Sequence, residues 1–149
     1  MKRIGILGDI GSGKTFVAKC FGHPVFNADQ EVANLYKKDK KILLKLRKVF
    51  PEYFNTSLID KENIAKVILD KKNNLKKIIK IVHIEIRKKL NFFLRKNKNK
   101  KIVILDIPLL LENKINKKND ILIFVKSKKN EVLKRLRKRE NYNYKLIKK

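Results

Sequence analysis

The sequence predicts an α/β fold with a parallel sheet, and three observations point to it. Two short apolar runs each end in a carboxylate, at Asp29 and Asp106. All five glycines fall at or before Gly22, so tight turning or close backbone approach is confined to one place. Stretches with apolar residues three and four apart separate the runs, as amphipathic helices do. In chain order, Arg3 to Leu7 reads as a short buried strand. Lys14 to Phe21 reads as a helix, stopped by Gly22-His23-Pro24. Val25 to Asp29 reads as a second strand, and this β–α–β order implies parallel pairing. From Gln30 to Asn99 the pattern is helical, with Ile42, Leu43 and Leu46 and then Ile78, Val82, Ile86 and Leu90 as the apolar faces. Pro51 breaks the first set, and Ser57 to Asp60 is a loop. Asn97 to Lys101 is a polar link to a third buried strand, Ile102 to Asp106. Ile121 to Val125 predicts a fourth buried strand, and Asn130 to Arg139 a basic helix.

A chain of 149 residues is long enough to bury one core, and 43% hydrophobic residues argue against wholesale disorder. No apolar run approaches a membrane span. The few apolar residues after Met1-Lys2-Arg3 are too short a run for a signal peptide. One cysteine, Cys20, excludes a disulfide framework and a Cys-rich zinc site. The expectation is a soluble, cytoplasmic protein. The formal charge is +26, but the basic residues are overwhelmingly Lys, and Lys, Asn and Ile all have AT-rich codons. The charge therefore reads as solvated lysine faces; the alternative is attraction for phosphate-bearing small molecules. A basic nucleic-acid-binding module is disfavoured, because no stacking aromatics are interleaved with the basic runs.

Gly8-Asp9-Ile10-Gly11-Ser12-Gly13-Lys14-Thr15 fits G-x-x-x-x-G-K-[ST] at every fixed position, between a strand and a helix. Glycines let successive N–H groups form an anion nest, and the helix N-terminus adds its positive end. Lys14 can reach the β/γ-phosphates and the Thr15 hydroxyl can ligate Mg²⁺. Asp106, after four apolar residues, has the Walker-B pattern that supports Mg²⁺; its alternative is a loop cap. Asp29 at a strand end can orient an attacking hydroxyl and accept its proton; its alternative is a helix N-cap. Glu112 is a weaker candidate and reads as a turn residue. Arg135 and Arg139, four apart, share a helix face suited to clamping phosphates, or are simply solvated. His83 and Arg87 also share a face, where packing is the simpler reading. Asn116-Lys117-Lys118-Asn119 lacks the Asp of a guanine-reading motif, and the length suits a small-molecule kinase.

At this point the sequence resembles the dephospho-CoA kinase family. The resemblance rests on Ile4 to Thr15, Asn27-Ala28-Asp29, His83 to Arg87, Asp106-Ile107-Pro108-Leu109-Leu110-Leu111-Glu112 and Arg135 to Arg139. It implies a P-loop NTPase three-layer fold with a parallel sheet, a helical insertion and a lid helix. Residues 1–36 and 100–130 would be the nucleotide-binding core, 37–99 the acceptor region and 131–149 the basic lid. ATP, with Mg²⁺, would phosphorylate the ribose 3′-hydroxyl of dephospho-CoA. Gly8, Gly11, Ser12, Gly13, Lys14, Thr15 and Phe16 would hold the nucleotide, with Mg²⁺ at Thr15 and Asp106. Asp29, Lys14, Arg135 and Arg139 would serve the transfer. The family has Gly where Asp9 stands, a hydroxyl residue at Phe16, Asp at Asn27 and Pro at Ile84. It also continues past the lid with a helix, a strand and a final helix, so the expectation is a chain lacking that remainder. Another P-loop small-molecule or nucleoside monophosphate kinase, and an inactive nucleotide-binding fragment, stay open; oligomeric state is not legible.

Overall fold

The structure, a computed structural model, describes residues 1–56, 58–108, 110–111 and 115–138. The elements in order are β1 (Lys2–Leu7), α1 (Lys14–Cys20), β2 (Val25–Asn27), α2 (Ala28–Lys38), α3 (Lys40–Val49), α4 (Lys61–Asp70), α5 (Asn74–Lys96), β3 (Ile102–Asp106), β4 (Ile121–Phe124) and α6 (Lys129–Arg137). They fall into two compact units: Met1–Phe26 with the described residues from Asn99 onward, and Asn27–Lys98.

The first unit is built on a four-stranded parallel sheet in the order β2-β3-β1-β4. Parallel pairing sets Ile4 beside Ile104 and Ile6 beside Ile123. β1 and β3 occupy the middle, so their apolar residues are covered: Ile4, Ile6, Val103, Ile104 and Leu105 are all buried. Ala18 of α1 joins Ile4, Ile6 and Ile104 in one cluster, which seats α1 on the sheet. The small alanine lets the helix backbone approach the strands closely.

β4 departs from the expectation of a fourth buried strand. Ile121, Leu122 and Phe124 are 45%, 41% and 61% exposed. The reason is position: β4 is last in the sheet order, and no described strand pairs with its outer side. An apolar run of four reads the same at the centre of a sheet as at its rim. The loop before β4 is tied to β1 by a buried ion pair. Arg3 Nη2 donates to Asp120 Oδ2 at 2.9 Å and to the Ile115 carbonyl at 3.0 Å. Asp120 Oδ2 also accepts from the Lys117 backbone N–H, which closes a short turn.

The second unit is helical. Three of its four helices, α2, α3 and α4, begin at acidic or amide side-chain caps that satisfy orphan N–H groups. Asn27 Oδ1 accepts from Gln30 N at 2.7 Å, Asp39 Oδ1 from Lys41 N at 2.9 Å, and Asp60 Oδ1 from Glu62 N at 3.1 Å. α3 ends at Val49, two residues before Pro51, and the rings of Phe50 and Phe54 then meet in a tilted pair, 6.4 Å between centres. α5 buries Ile78, Val82, Ile86 and Leu90, one residue per turn on a single face. Buried Asn74 donates to the Val67 carbonyl at 2.9 Å, satisfying an orphan acceptor in the last turn of α4. No helix among the described residues is long and apolar enough to cross a membrane.

Glu85 of α5 accepts from Lys45 of α3 at 2.5 Å and from Lys88 at 3.0 Å. The hydrogen bond from Lys45, then that from Lys88, holds its carboxyl below the usual carboxylate range. A lowered folded pKa stabilises above the unfolded pKa, and that stabilisation is lost as pH falls through the folded value. Both lysines are substantially exposed, so the pair contributes only about 0.5 kcal/mol. Glu85→Gln should therefore lower the urea midpoint at pH 7 and match the parent chain only once the pH has fallen below the lowered Glu85 value, where the parent carboxyl is protonated too. Equal offsets at both pH values would show that the ion pair is not the cause.

Candidate phosphate-binding site

The glycine-rich loop joins β1 to α1 and has the backbone that its glycines allow. Gly8, Gly11 and Gly13 have φ of 145°, 80° and 98°. At Gly8 the lack of a side chain is obligatory: a Cβ would lie 2.5 Å from the Val125 carbonyl oxygen and 2.8 Å from Ser12 Oγ. Gly13, left-handed, is the N-cap of α1, so the loop runs straight into the positive end of that helix. The Ser12 N–H donates to the Asp9 carbonyl at 3.1 Å, closing the turn. Ser12 is 3% exposed and its Oγ has no hydrogen-bond partner among the described residues.

Lys14 Nζ donates to the carbonyls of Gly8 and Asp9, both at 2.8 Å. Its ammonium curls over the loop, and an ammonium has a third donor beyond these two. Thr15 Oγ1 donates to Asp106 Oδ2 at 2.6 Å. Asp106, the last residue of β3, is 4% exposed. A hydroxyl and a carboxylate oxygen set against each other in this way are hard donors that fit Mg²⁺ shared with phosphate oxygens. Among the described residues no cluster of three or more His, Cys, Asp or Glu could hold a metal on its own. Beside the loop opens a cavity of about 560 Å³, lined by Ile10, Lys14, Pro108, Leu111 and Phe124 among others.

Arg135 of α6 reaches the same loop. Its Nη1 lies 3.2 Å from the Ser12 carbonyl and 3.4 Å from the Gly11 carbonyl. The first unit thus brings together Gly8, Gly11 to Thr15, Asp106 and Arg135. Phe16 sits in the first turn of α1 and is 74% exposed, and Asp9 is also exposed. Arg139 and Glu112 lie outside the described residues.

Asp29 differs from its expected place. The second strand ends at Asn27, and Asp29 is in the first turn of α2, within the helical unit. The physical cause is Asn27, whose side chain caps α2 and so starts the helix at Ala28. The capping role considered for Asp29 therefore belongs to Asn27. His83 is half-buried and Arg87 exposed on α5. Ser127 was not singled out by sequence, yet its Oγ donates to the Ser12 carbonyl at 2.7 Å. Its only sequence signal is a lone hydroxyl among lysines just after the last strand.

A family model described as dephospho-CoA kinase matches residues 2–149. The dephospho-CoA kinase of Wolbachia sp. subsp. Brugia malayi is 39% identical over 127 residues, which are 82% of this chain and 65% of that protein. The dephospho-CoA kinase of Bartonella henselae is 34% identical over 130 residues, 84% of this chain and 66% of its own. The chain therefore spans just under two thirds of the length of these relatives. A solved Thermus thermophilus structure superposes with a TM-score of 0.75 at 27% identity, covering 98% of this chain and 76% of that one. Dephospho-CoA kinase from Campylobacter jejuni superposes with a TM-score of 0.65 at 20% identity, covering 99% and 76%, and supports the fold alone.

Proposed function

We propose that this chain, which belongs to the dephospho-CoA kinase family, transfers the γ-phosphoryl group of ATP to the ribose 3′-hydroxyl of dephospho-CoA. The observation that carries this reading is the loop itself: a nest of left-handed glycines at a helix N-terminus, with Lys14 curled over it and Thr15 bonded to Asp106.

The roles follow from the chemistry of each group. Backbone N–H groups from Gly11 to Phe16 bind phosphate oxygens. Lys14 exchanges its carbonyl partners for the β/γ-phosphates, where charge builds up as the bond to the leaving oxygen breaks. Thr15 and Asp106 would hold Mg²⁺, which when bound supplies neutralising charge to the phosphates. Arg135 sits on the loop carbonyls and can donate to a phosphate within reach of the same helix; Arg139 is assigned the same duty. The 3′-hydroxyl oxygen forms the new bond to phosphorus, ADP leaves, and the hydroxyl proton passes to the Asp29 carboxylate. Residues 37–99 would hold the acceptor and 131–149 would form the lid. The reaction passes a phosphoryl group between two small molecules, which suits a cytoplasmic enzyme.

Release of ADP from ATP and Mg²⁺ should depend on dephospho-CoA. Turnover with nucleoside monophosphates or shikimate instead would move the chain to another small-molecule kinase reaction. Asp29→Asn should lower kcat by about 10²–10⁴-fold with ATP affinity retained. An unchanged kcat would remove Asp29 from the proton transfer.

A further inference from the structure

We propose that Ser127 is a positioning residue of the nucleotide site: it fixes the Ser12–Gly13 peptide of the phosphate loop and sets the resting place of Arg135. This extends the nucleotide-site reading above and rests on it for its affinity consequence.

Ser127 lies in the short link between β4 and α6. Its hydroxyl has a single proton, and that proton is committed to the Ser12 carbonyl at 2.7 Å. Towards Arg135 it can then only accept, and Arg135 Nη1 approaches Ser127 Oγ at 3.3 Å. The same Nη1 faces the carbonyls of Ser12 and Gly11. Two hydrogens therefore serve three acceptors, and Ser12 O receives donors from both residues. When Arg135 swings towards a phosphate, Ser127 keeps that carbonyl satisfied, so the loop does not have to refold to release the guanidinium.

The pinned peptide matters because it is planar and trans. Holding the Ser12 carbonyl towards Ser127 directs the Gly13 N–H to the opposite side. That N–H belongs to the loop whose amides form the anion nest. α6 is brought close enough for this by Gly11. A Cβ there would lie 3.0 Å from Leu136 Cγ and 3.1 Å from Val132 Cγ1, so the apolar side of α6 rests directly on the glycine. Leu136 is correspondingly buried. Gly11 occupies an unspecified position of the loop motif, and its bareness serves the helix as well as the turn.

The test compares Ser127→Ala and Ser127→Thr with the parent chain by amide hydrogen exchange without nucleotide and by ATP titration. Loss of one hydrogen bond should speed exchange in the Gly11–Thr15 segment about fivefold to tenfold and weaken ATP by a similar factor. Ser127→Thr, which keeps the hydroxyl, should stay within about twofold of the parent on both. Adding Arg135→Ala to Ser127→Ala should cost less than the two separate losses combined, because both act on the Ser12 carbonyl. Unchanged loop exchange in Ser127→Ala would overturn the proposal. So would an increase spread equally over β1 and β3, which marks a general loss of stability. If the parent chain fails to bind ATP, the proposed function falls, and the exchange result still decides the role of Ser127.

Discussion

Lys14→Ala should lower kcat by about 10²–10³-fold and weaken ATP binding, with the fold intact. The ammonium is the only cation lining the cavity beside the loop among the described residues. Its two bonds to the Gly8 and Asp9 carbonyls show that its side chain already lies over the loop, with no rebuilding needed to meet a phosphate. Those bonds are to an exposed turn, so their loss should move the thermal midpoint by only a few degrees. Lys14→Arg should not rescue, because a planar fork cannot replace a compact point charge at the same depth. Isothermal titration with ATP and Mg²⁺, beside circular dichroism, separates the two effects. Unchanged ATP affinity in the alanine variant would contradict the nucleotide site.

Asp120→Ala should cost stability on a scale that few single changes reach. The Arg3 and Asp120 side chains are only 9% and 4% exposed, and they join β1 to the loop before β4. Removing the carboxylate leaves a buried guanidinium facing the Ile115 carbonyl alone on that nitrogen, and Arg3 Nε already has no partner among the described residues. Breaking such a pair from one side costs about 3–5 kcal/mol. For a chain of this size that is a fall of about 10–15 °C in Tm. Replacing both partners, Arg3→Met with Asp120→Leu, should recover much of the loss, since no charge is then stranded. Differential scanning calorimetry of the three variants tests this. A single variant within 3 °C of the parent would show the pair to be solvated, at the scale set by exposed ion pairs.

What could be read from sequence and what could not divides by distance along the chain. The phosphate loop was legible because its chemistry is packed into eight consecutive residues, and Asp106 because a strand carries it to its end. α5 was legible because one apolar residue per turn from Ile78 to Leu90 can only mean one covered face. The second strand reads two residues too long, to Asp29: it ends at Asn27, whose side chain turns back to cap a helix, and the apolar pattern does not mark that turn. The exposure of β4 was invisible because burial at a rim is decided by neighbours, not by the strand's own letters. Arg3 with Asp120 and Ser12 with Ser127 are 117 and 115 residues apart, and no periodicity or motif connects such partners.

No described strand covers the outer margin of β4, and that has a consequence for how this protein behaves in bulk. A sheet rim with Leu122 and Phe124 exposed, and no partner strand on that side among the described residues, offers its amides and carbonyls to any other extended strand, which is how filaments and precipitates are seeded. Lys117, Lys118, Lys126, Lys128 and Lys129 flank that rim and act as gatekeepers, since two copies meeting there bring like charges together. Dissolved ions blunt that repulsion, and by 1 M its range is only about 3 Å. The lysine excess should therefore act colloidally: light scattering of this chain is expected to stay low at low ionic strength and to rise with added salt.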